Sequence, residues 1–231
     1  MQQPSTTASG PFEQPAYLER CHNIAKVLEY NLPWYGITAV VDLGCGTGDV
    51  GRHFLPLGCS VLFVDGRKEH IEALKKKCLN ALQHDAHTPL GPLYYDERFP
   101  AVEPDLVLCL GLLYHSENPQ LILDNCAAIA PIIAVETLCM DRADRVFLSL
   151  EEDSKRSDQS LDGGCSRFSP AWLERALSRA GYTHIEDLST QVEPAPPDGY
   201  HLGFRYNWDL QDSGDSYRDG YGLRKLWVAW K

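Results

Sequence analysis

VVDLGCGTG, residues Val40 to Gly48, sets an apolar strand directly against a glycine turn. Val40, Val41 and Leu43 supply the strand, and Gly44, Gly46 and Gly48 let the backbone take positive φ and approach a ligand closely. Thr47 to Leu55 is then expected to start a helix. A junction of this kind holds a nucleotide-like ligand. Asp42 stands where the strand ends, and its carboxylate suits a cationic group better than a phosphate. About twenty residues further on, Val61 to Val64 form a second apolar run that Asp65 closes, the position at which an acid receives the hydroxyls of a bound ribose.

A literal GxGxxG at Gly46, Gly48 and Gly51 raises the alternative of a dinucleotide oxidoreductase. Two features oppose it. The chain has 231 residues, too few for a typical separate substrate domain, and Asp42 would repel a pyrophosphate seated at the turn.

Taken with HDAH (His84 to His87) and PDLVLCLGLLYH (Pro104 to His115), these segments resemble the successive motifs of class I S-adenosylmethionine-dependent methyltransferases over roughly residues 35 to 190. The resemblance implies S-adenosylmethionine as cofactor. It puts Gly44 and Gly46 under the methionine part with Asp42 near its amino group, and counts Gly48 among the cofactor-binding residues. Asp65 and Gly66 fall at the ribose, Asp85 and Ala86 at the adenine amine, and Leu110 at the exit of the fourth strand. The fold it implies is an α/β, Rossmann-like three-layer sandwich. Its sheet is mostly parallel and seven-stranded, with an antiparallel last strand and helices on both faces.

The pattern along the chain agrees with alternating strands and helices. Tyr17, Cys21, Ile24, Ala25 and Leu28 recur at helical spacing and predict an amphipathic helix over 13 to 30 that stops before Pro33. Further helices are expected near Arg67 to Leu79 and from Pro119. Strands are expected up to Gln83, at Leu106 to Leu110, at Ile132 to Val135, at 183 to 190, and at Leu226 to Trp230. Ser169 and Pro170 make an N-cap and first turn, and Gly181 a helix stop. Between Leu138 and Phe168 the apolar rhythm weakens and mixed charge appears, too long a stretch for an ordinary connection. It is expected to be a lid over the substrate, and 191 to 222, with Tyr206, Trp208, Tyr217 and Tyr221, a second cover. Residues 1 to 10 read as a loose tail rather than a signal peptide, and 11 to 231 as one domain.

At 44% hydrophobic the chain can bury a core of its own. No apolar run reaches membrane-spanning length. The eight cysteines form no CxxC pair, so several are expected to be small buried hydrophobes in a reducing cytoplasm. A net charge of -11 opposes nonspecific attraction to polyphosphate, and nucleic acid is not the expected partner. Lys75, Lys76 and Lys77 read as a solvated helix end that complements the helix dipole. Glu151, Glu152 and Asp153 are adjacent and point in different directions, so no metal site is expected. The sequence leaves the oligomeric state open.

A sulfonium methyl is already activated, so the protein mainly aligns donor and acceptor and excludes water. Ligands of open α/β sheets lie outside the carboxyl ends of the strands, which puts Tyr114, His115 and Glu136 on the acceptor side. His115 is the candidate general base, Tyr114 positions methyl or substrate, and Glu136 orients an amine or hydroxyl. Each has a plainer alternative: a turn-shaping histidine, a core aromatic and a salt-bridge partner. His87 reads as a surface residue. Trp34, Trp172, Tyr206, Trp208 and Tyr217 are expected to line an enclosed acceptor pocket, with core packing the alternative for Trp172.

GLLYHSENP (Gly111 to Pro119) is similar to a segment of natural-product and saccharide methyltransferases and of the transfer-RNA wobble-uridine carboxymethyltransferase. The leading expectation is therefore methyl transfer to a hydroxyl, or less readily an amine, of a small molecule. Two alternatives are a tRNA-modifying methyl or carboxymethyl transferase and a non-catalytic cofactor-binding subunit. No single arginine stands out as a partner for a carboxylated donor, with Arg205 and Arg218 as candidates.

Overall fold

The computed structural model describes residues 10–33, 36–91, 103–194, 205–206 and 223–231. The N-terminal tail, Trp34, Trp208, Tyr217, Tyr221, Arg218 and nearly all of the expected second cover lie outside the described residues.

Helix α1 (Pro15–Asn31) leads into β1 (Ala39–Leu43), followed by β2 (Ser60–Asp65), α2 (Lys68–Lys76), β3 (Ala81–Gln83) and β4 (Leu106–Leu110). Then come α3 (Pro119–Ile129), β5 (Ile132–Leu138), the pair β6 (Phe147–Glu151) and β7 (Gly164–Phe168), α4 (Pro170–Ala180), β8 (His184–Asp187) and β9 (Arg224–Trp230). Seven strands form one sheet in the order β3-β2-β1-β4-β5-β9-β8. β9 runs antiparallel to both its neighbours and the remaining pairs are parallel. The expected fold class is the observed one. Strand order reverses between β1 and β4, and ligands of such sheets bind outside the carboxyl ends at that point.

Alternation along the central strands sends side chains to two cores. Val40, Val61, Phe63, Leu106 and Leu108 pack with Ile24 and Leu28 of α1 and Ile71 and Leu74 of α2. Val41, Leu43, Val107, Cys109 and Val135 pack with Ile122 and Cys126 of α3 and Leu173 and Leu177 of α4. α4 begins and ends as its sequence predicts: the Ser169 side chain accepts from Trp172 N, and Gly181 is left-handed at φ 104°.

Two elements differ from expectation. The helix predicted over Thr47 to Leu55 is only a single 3-10 turn at Gly51–Phe54. Gly48 is left-handed at φ 74°, and Pro56 supplies no N–H to continue a helical hydrogen-bond ladder. Too few residues remain between them for an α-helix. Within Leu138 to Phe168, β6 and β7 form an antiparallel hairpin with Phe147 opposite Phe168 and Glu151 opposite Gly164. β6 is mostly exposed and lacks the alternation that marks a half-buried strand. The two ends of this insertion are tied together: Met140 N donates to Phe168 O (2.9 Å) and Ser169 N to Val146 O (3.1 Å).

Candidate active site

A crevice opens at the carboxyl ends of β1, β2 and β4, where the switch in strand order puts it. Gly44 and Gly46 form part of its wall at φ 70° and 53°. A Cβ on Gly44 would stand 2.9 Å from Leu112 Cδ1, and one on Gly46 3.3 Å from the Phe12 ring, so the turn is closed to larger residues. Gly48 does not line the crevice; its hydrogen faces Leu74 and Phe63, 3.0 Å from where a Cβ would be. Asp65 lines the crevice with Gly66 and Leu110. Its Oδ2 accepts from Gly46 N (2.9 Å) and its Oδ1 from Arg67 N (2.8 Å).

Asp42 points elsewhere. It shares a row with Phe63 and Leu108, is buried, and accepts from Gly51 N at 3.2 Å. Burial pushes its pKa up to about 7, opposed by that hydrogen bond and aided by the charges of Asp65 and Asp49. Asp85 is half exposed and, like Ala86, is not part of the wall. Its Oδ1 accepts from His87 N and lies 2.9 Å from His87 Nδ1. His87 itself lines the crevice, its Nε2 2.7 Å from Ser116 Oγ. The residue read as surface is thus nearer the crevice than the acid beside it.

His115 follows β4 in a 3-10 turn, Leu113–His115. Its Nδ1 lies 2.5 Å from Oε2 of Glu152, carried by the insertion. The same oxygen accepts from Ser160 N at 3.0 Å. Burial lowers the His115 pKa, the carboxylate of Glu152 opposes this, and Arg224 and Arg167 add to the lowering. For Glu152, burial works upward, but His115, Ser160 and Arg167 outweigh it and hold the carboxyl below its ordinary value. No described residue hydrogen-bonds His115 Nε2.

Tyr114 accepts from Arg224 Nη2 at its hydroxyl (3.0 Å). Its ring lies 4.0 Å from that of His115, with Arg167 5.4 Å and Arg224 5.1 Å from its centroid. Glu136 lies behind this wall and is fully buried. It receives Arg20 Nη1 (2.9 Å), Arg224 Nη1 (3.0 Å) and the Tyr206 hydroxyl (2.8 Å). Burial works to raise its pKa, and the two guanidiniums more than offset this. Glu136 therefore holds arginines rather than reaching the crevice.

The insertion lies along the same crevice. Arg67 Nη2 donates to the carbonyls of Ser154 (3.3 Å), Gln159 (3.1 Å) and Ser160 (3.1 Å), and Leu161 sits against Gly66. Of the aromatic residues expected around the acceptor, Trp172 packs between Phe147 and Phe168 and Tyr206 is buried on Glu136. The wall instead carries Phe12, Tyr17, Arg20, Glu152, Arg167 and Arg224. Arg20 was open to detection as a charge one residue from the apolar stripe of α1. Glu152 and Arg167 reach the site only through long-range folding, and nothing local marks them. Among the described residues no cluster of three metal-ligating side chains occurs, and no helix is long and apolar enough to cross a membrane.

A glycine cradle beside an acid at the end of β2 fits S-adenosylmethionine, and the wider comparisons agree. The methyltransferase-domain family matches residues 14–187, and the chain belongs to that family. It is an S-adenosylmethionine-dependent methyltransferase. No curated protein sequence matches it. Among solved structures it is similar to the N-terminal domain of EvdMO1 with S-adenosylhomocysteine bound (TM-score 0.65, 19% identity, 94% of this chain and 81% of that one). It also resembles human N-acetylserotonin methyltransferase in complex with S-adenosylmethionine (TM-score 0.53, 14% identity, 93% and 54%). A third is magnesium protoporphyrin IX methyltransferase from Synechocystis with the same ligand (TM-score 0.54, 13% identity, 94% and 80%). At these identities the likeness is one of fold.

Proposed function

We propose that this enzyme methylates a hydroxyl of a small molecule, with His115 as general base. The observation that supports this most is the 2.5 Å contact between His115 Nδ1 and Glu152 Oε2, which leaves Nε2 as the nitrogen available to an acceptor on the crevice wall. When bound, S-adenosylmethionine supplies an activated methyl group for in-line displacement and departs as S-adenosylhomocysteine. His115 takes the hydroxyl proton at Nε2, and the negative charge of Glu152 stabilises the resulting imidazolium. Glu152 is a positioning residue: it fixes the ring and its tautomer. Buried His115 stays neutral at physiological pH, the form that accepts a proton.

Toward the cofactor, Asp65 takes the ribose hydroxyls. A carboxylate offers about four acceptor directions, and backbone N–H groups use only part of them. Gly44 and Gly46 lie under the methionine part, Gly66 and Leu110 beside the nucleoside, and Asp42 braces the turn through Gly51 rather than meeting the amino group. His87, held by Asp85, stands at the adenine end. Tyr114 forms a wall beside His115, and Glu136 anchors Arg20 and Arg224 to that wall. The insertion acts as a lid, since Arg67 fastens it across the nucleoside end.

The test is incubation with methyl-labelled S-adenosylmethionine and an extract of the source cells, followed by separation of RNA, protein and small molecules. Label is expected in the small-molecule fraction and should fall about 10²- to 10⁴-fold with His115→Ala. Label removed by ribonuclease would replace this reading with an RNA acceptor. Tight cofactor binding with no label anywhere would favour a non-catalytic subunit.

A further inference from the structure

The hairpin presents an open strand edge. β6 pairs with β7 alone, and the register shows which groups its outer side holds. Ser169 N donates to Val146 O (3.1 Å) and Glu152 N to Gly163 O (2.7 Å), so Val146, Leu148, Leu150 and Glu152 turn their backbone N–H and C=O toward β7. Those of Phe147, Ser149 and Glu151 turn outward and meet no hydrogen-bonding partner among the described residues. Sheet edges are normally kept short or lined with charge. The main sheet follows that rule, since β3 has three residues and β8 ends in Glu186 and Asp187. β6 has five residues, one charge and no proline, and Leu148 and Leu150 are 44% and 39% exposed on one face. Charge gathers instead at its two ends. Glu151 is exposed at one, and Arg145, just before the other, lines a groove with Trp172, Arg175 and Arg179. Among the described residues neither Glu151 nor any of these three arginines forms an ion pair or a side-chain hydrogen bond.

We infer that a second copy of this chain docks on β6, antiparallel, with a two-fold axis through Leu148. RVFLSLE, residues Arg145 to Glu151, is its own complement in that register. Arg145 meets the partner's Glu151 at each end. Phe147 and Ser149 meet the partner's Ser149 and the partner's Phe147, and the outward backbone groups of these pairs satisfy one another. Val146, Leu148 and Leu150 meet the partner's Leu150, the partner's Leu148 and the partner's Val146 at the non-hydrogen-bonded positions, where side chains approach most closely. Sliding one strand by two residues sets Glu151 against the partner's Phe147 in one direction and Leu150 against the partner's Asp144 in the other. Two chains of net charge -11 repel at long range, which favours a contact that sets arginine against glutamate over one that is merely apolar. The association also turns a two-stranded hairpin, marginal by itself, into a four-stranded sheet.

The experiment is sedimentation equilibrium on the full chain at about 50 μM, well above a micromolar Kd, in about 0.15 M salt. A dimer is expected. Arg145→Glu sets acid against acid at both ends and Glu151→Arg sets base against base, so each variant alone should self-associate about ten-fold or more weakly. An equimolar mixture of the two restores opposite charges at both ends and should recover the dimer. Ser149→Pro removes an outward N–H that β7 does not use, and should give a monomer that still binds S-adenosylhomocysteine. If that variant fails to fold, the two charge variants, altered only at exposed side chains, decide the matter. A monomeric wild type, a dimer that survives the charge variants, or variants that stay apart when mixed would each overturn the inference. None of these outcomes touches the methyltransferase reading, on which the dimer does not depend.

Discussion

An imidazole with one nitrogen held 2.5 Å from a carboxylate presents the other in a single orientation, and that constraint governs how His115 responds to pH. Burial favours its neutral form, which is lost as the medium turns acid. kcat/KM is therefore expected to rise with pH along a limb whose midpoint lies below about 6.5, the ordinary imidazole value, and to stay level through neutrality. Glu152→Gln removes the influence that raises the His115 pKa, so the midpoint should move further down while kcat falls about ten-fold or more. pH–rate profiles of the two proteins measure both effects, and a wild-type profile flat well into the acid range would remove His115 as the base. At this scale the sequence was only partly informative. The strand-end position of His115 could be read from the apolar run before it, but its partner lies 37 residues away. Asp42 shows the reverse problem: the motif located it correctly, yet its side chain falls in an apolar row of the sheet and faces the turn's own backbone.

Continuous apolar runs made the central strands legible, because parallel strands buried on both faces admit little else. Caps and a left-handed glycine did the same for α4. The hairpin was not legible, since exposed β6 carries no periodic signal. Yet this element spans the crevice, bringing Glu152 to His115 and residues 157 to 161 to Arg67 and Gly66. Its fastening to Arg67 is testable. Arg67→Ala removes the charged Nη2 that three carbonyls share, and a net loss near 1.4 kcal/mol is about ten-fold in rate. Stopped-flow dissociation of S-adenosylhomocysteine is expected to quicken by that factor. Unchanged dissociation would mean that the insertion does not bar the cofactor's exit.

For the molecule as a whole, two apolar cores on opposite faces of one sheet carry the stability, and the crevice lies at the carboxyl ends of the central strands, where it meets the rim of each. Ligand that binds the native crevice adds to stability by mass action. S-adenosylhomocysteine at about a hundred times its dissociation constant should stabilise the native state by about 2.7 kcal/mol, which for a chain of this length is about 5–10 °C in Tm. A thermal melt with and without the ligand checks this, and no shift would argue against a preformed site. The arrangement also shapes how such an enzyme can change over generations. The insertion leaves and rejoins the sheet through neighbouring backbone, Met140 to Phe168 and Val146 to Ser169. It carries Glu152 and Arg167, whereas the glycine turn and Asp65 belong to the sheet. Descendants that exchanged this one cassette would renew the wall beside His115 and the cover over Arg67 together, while inheriting the glycine turn and Asp65 with the sheet.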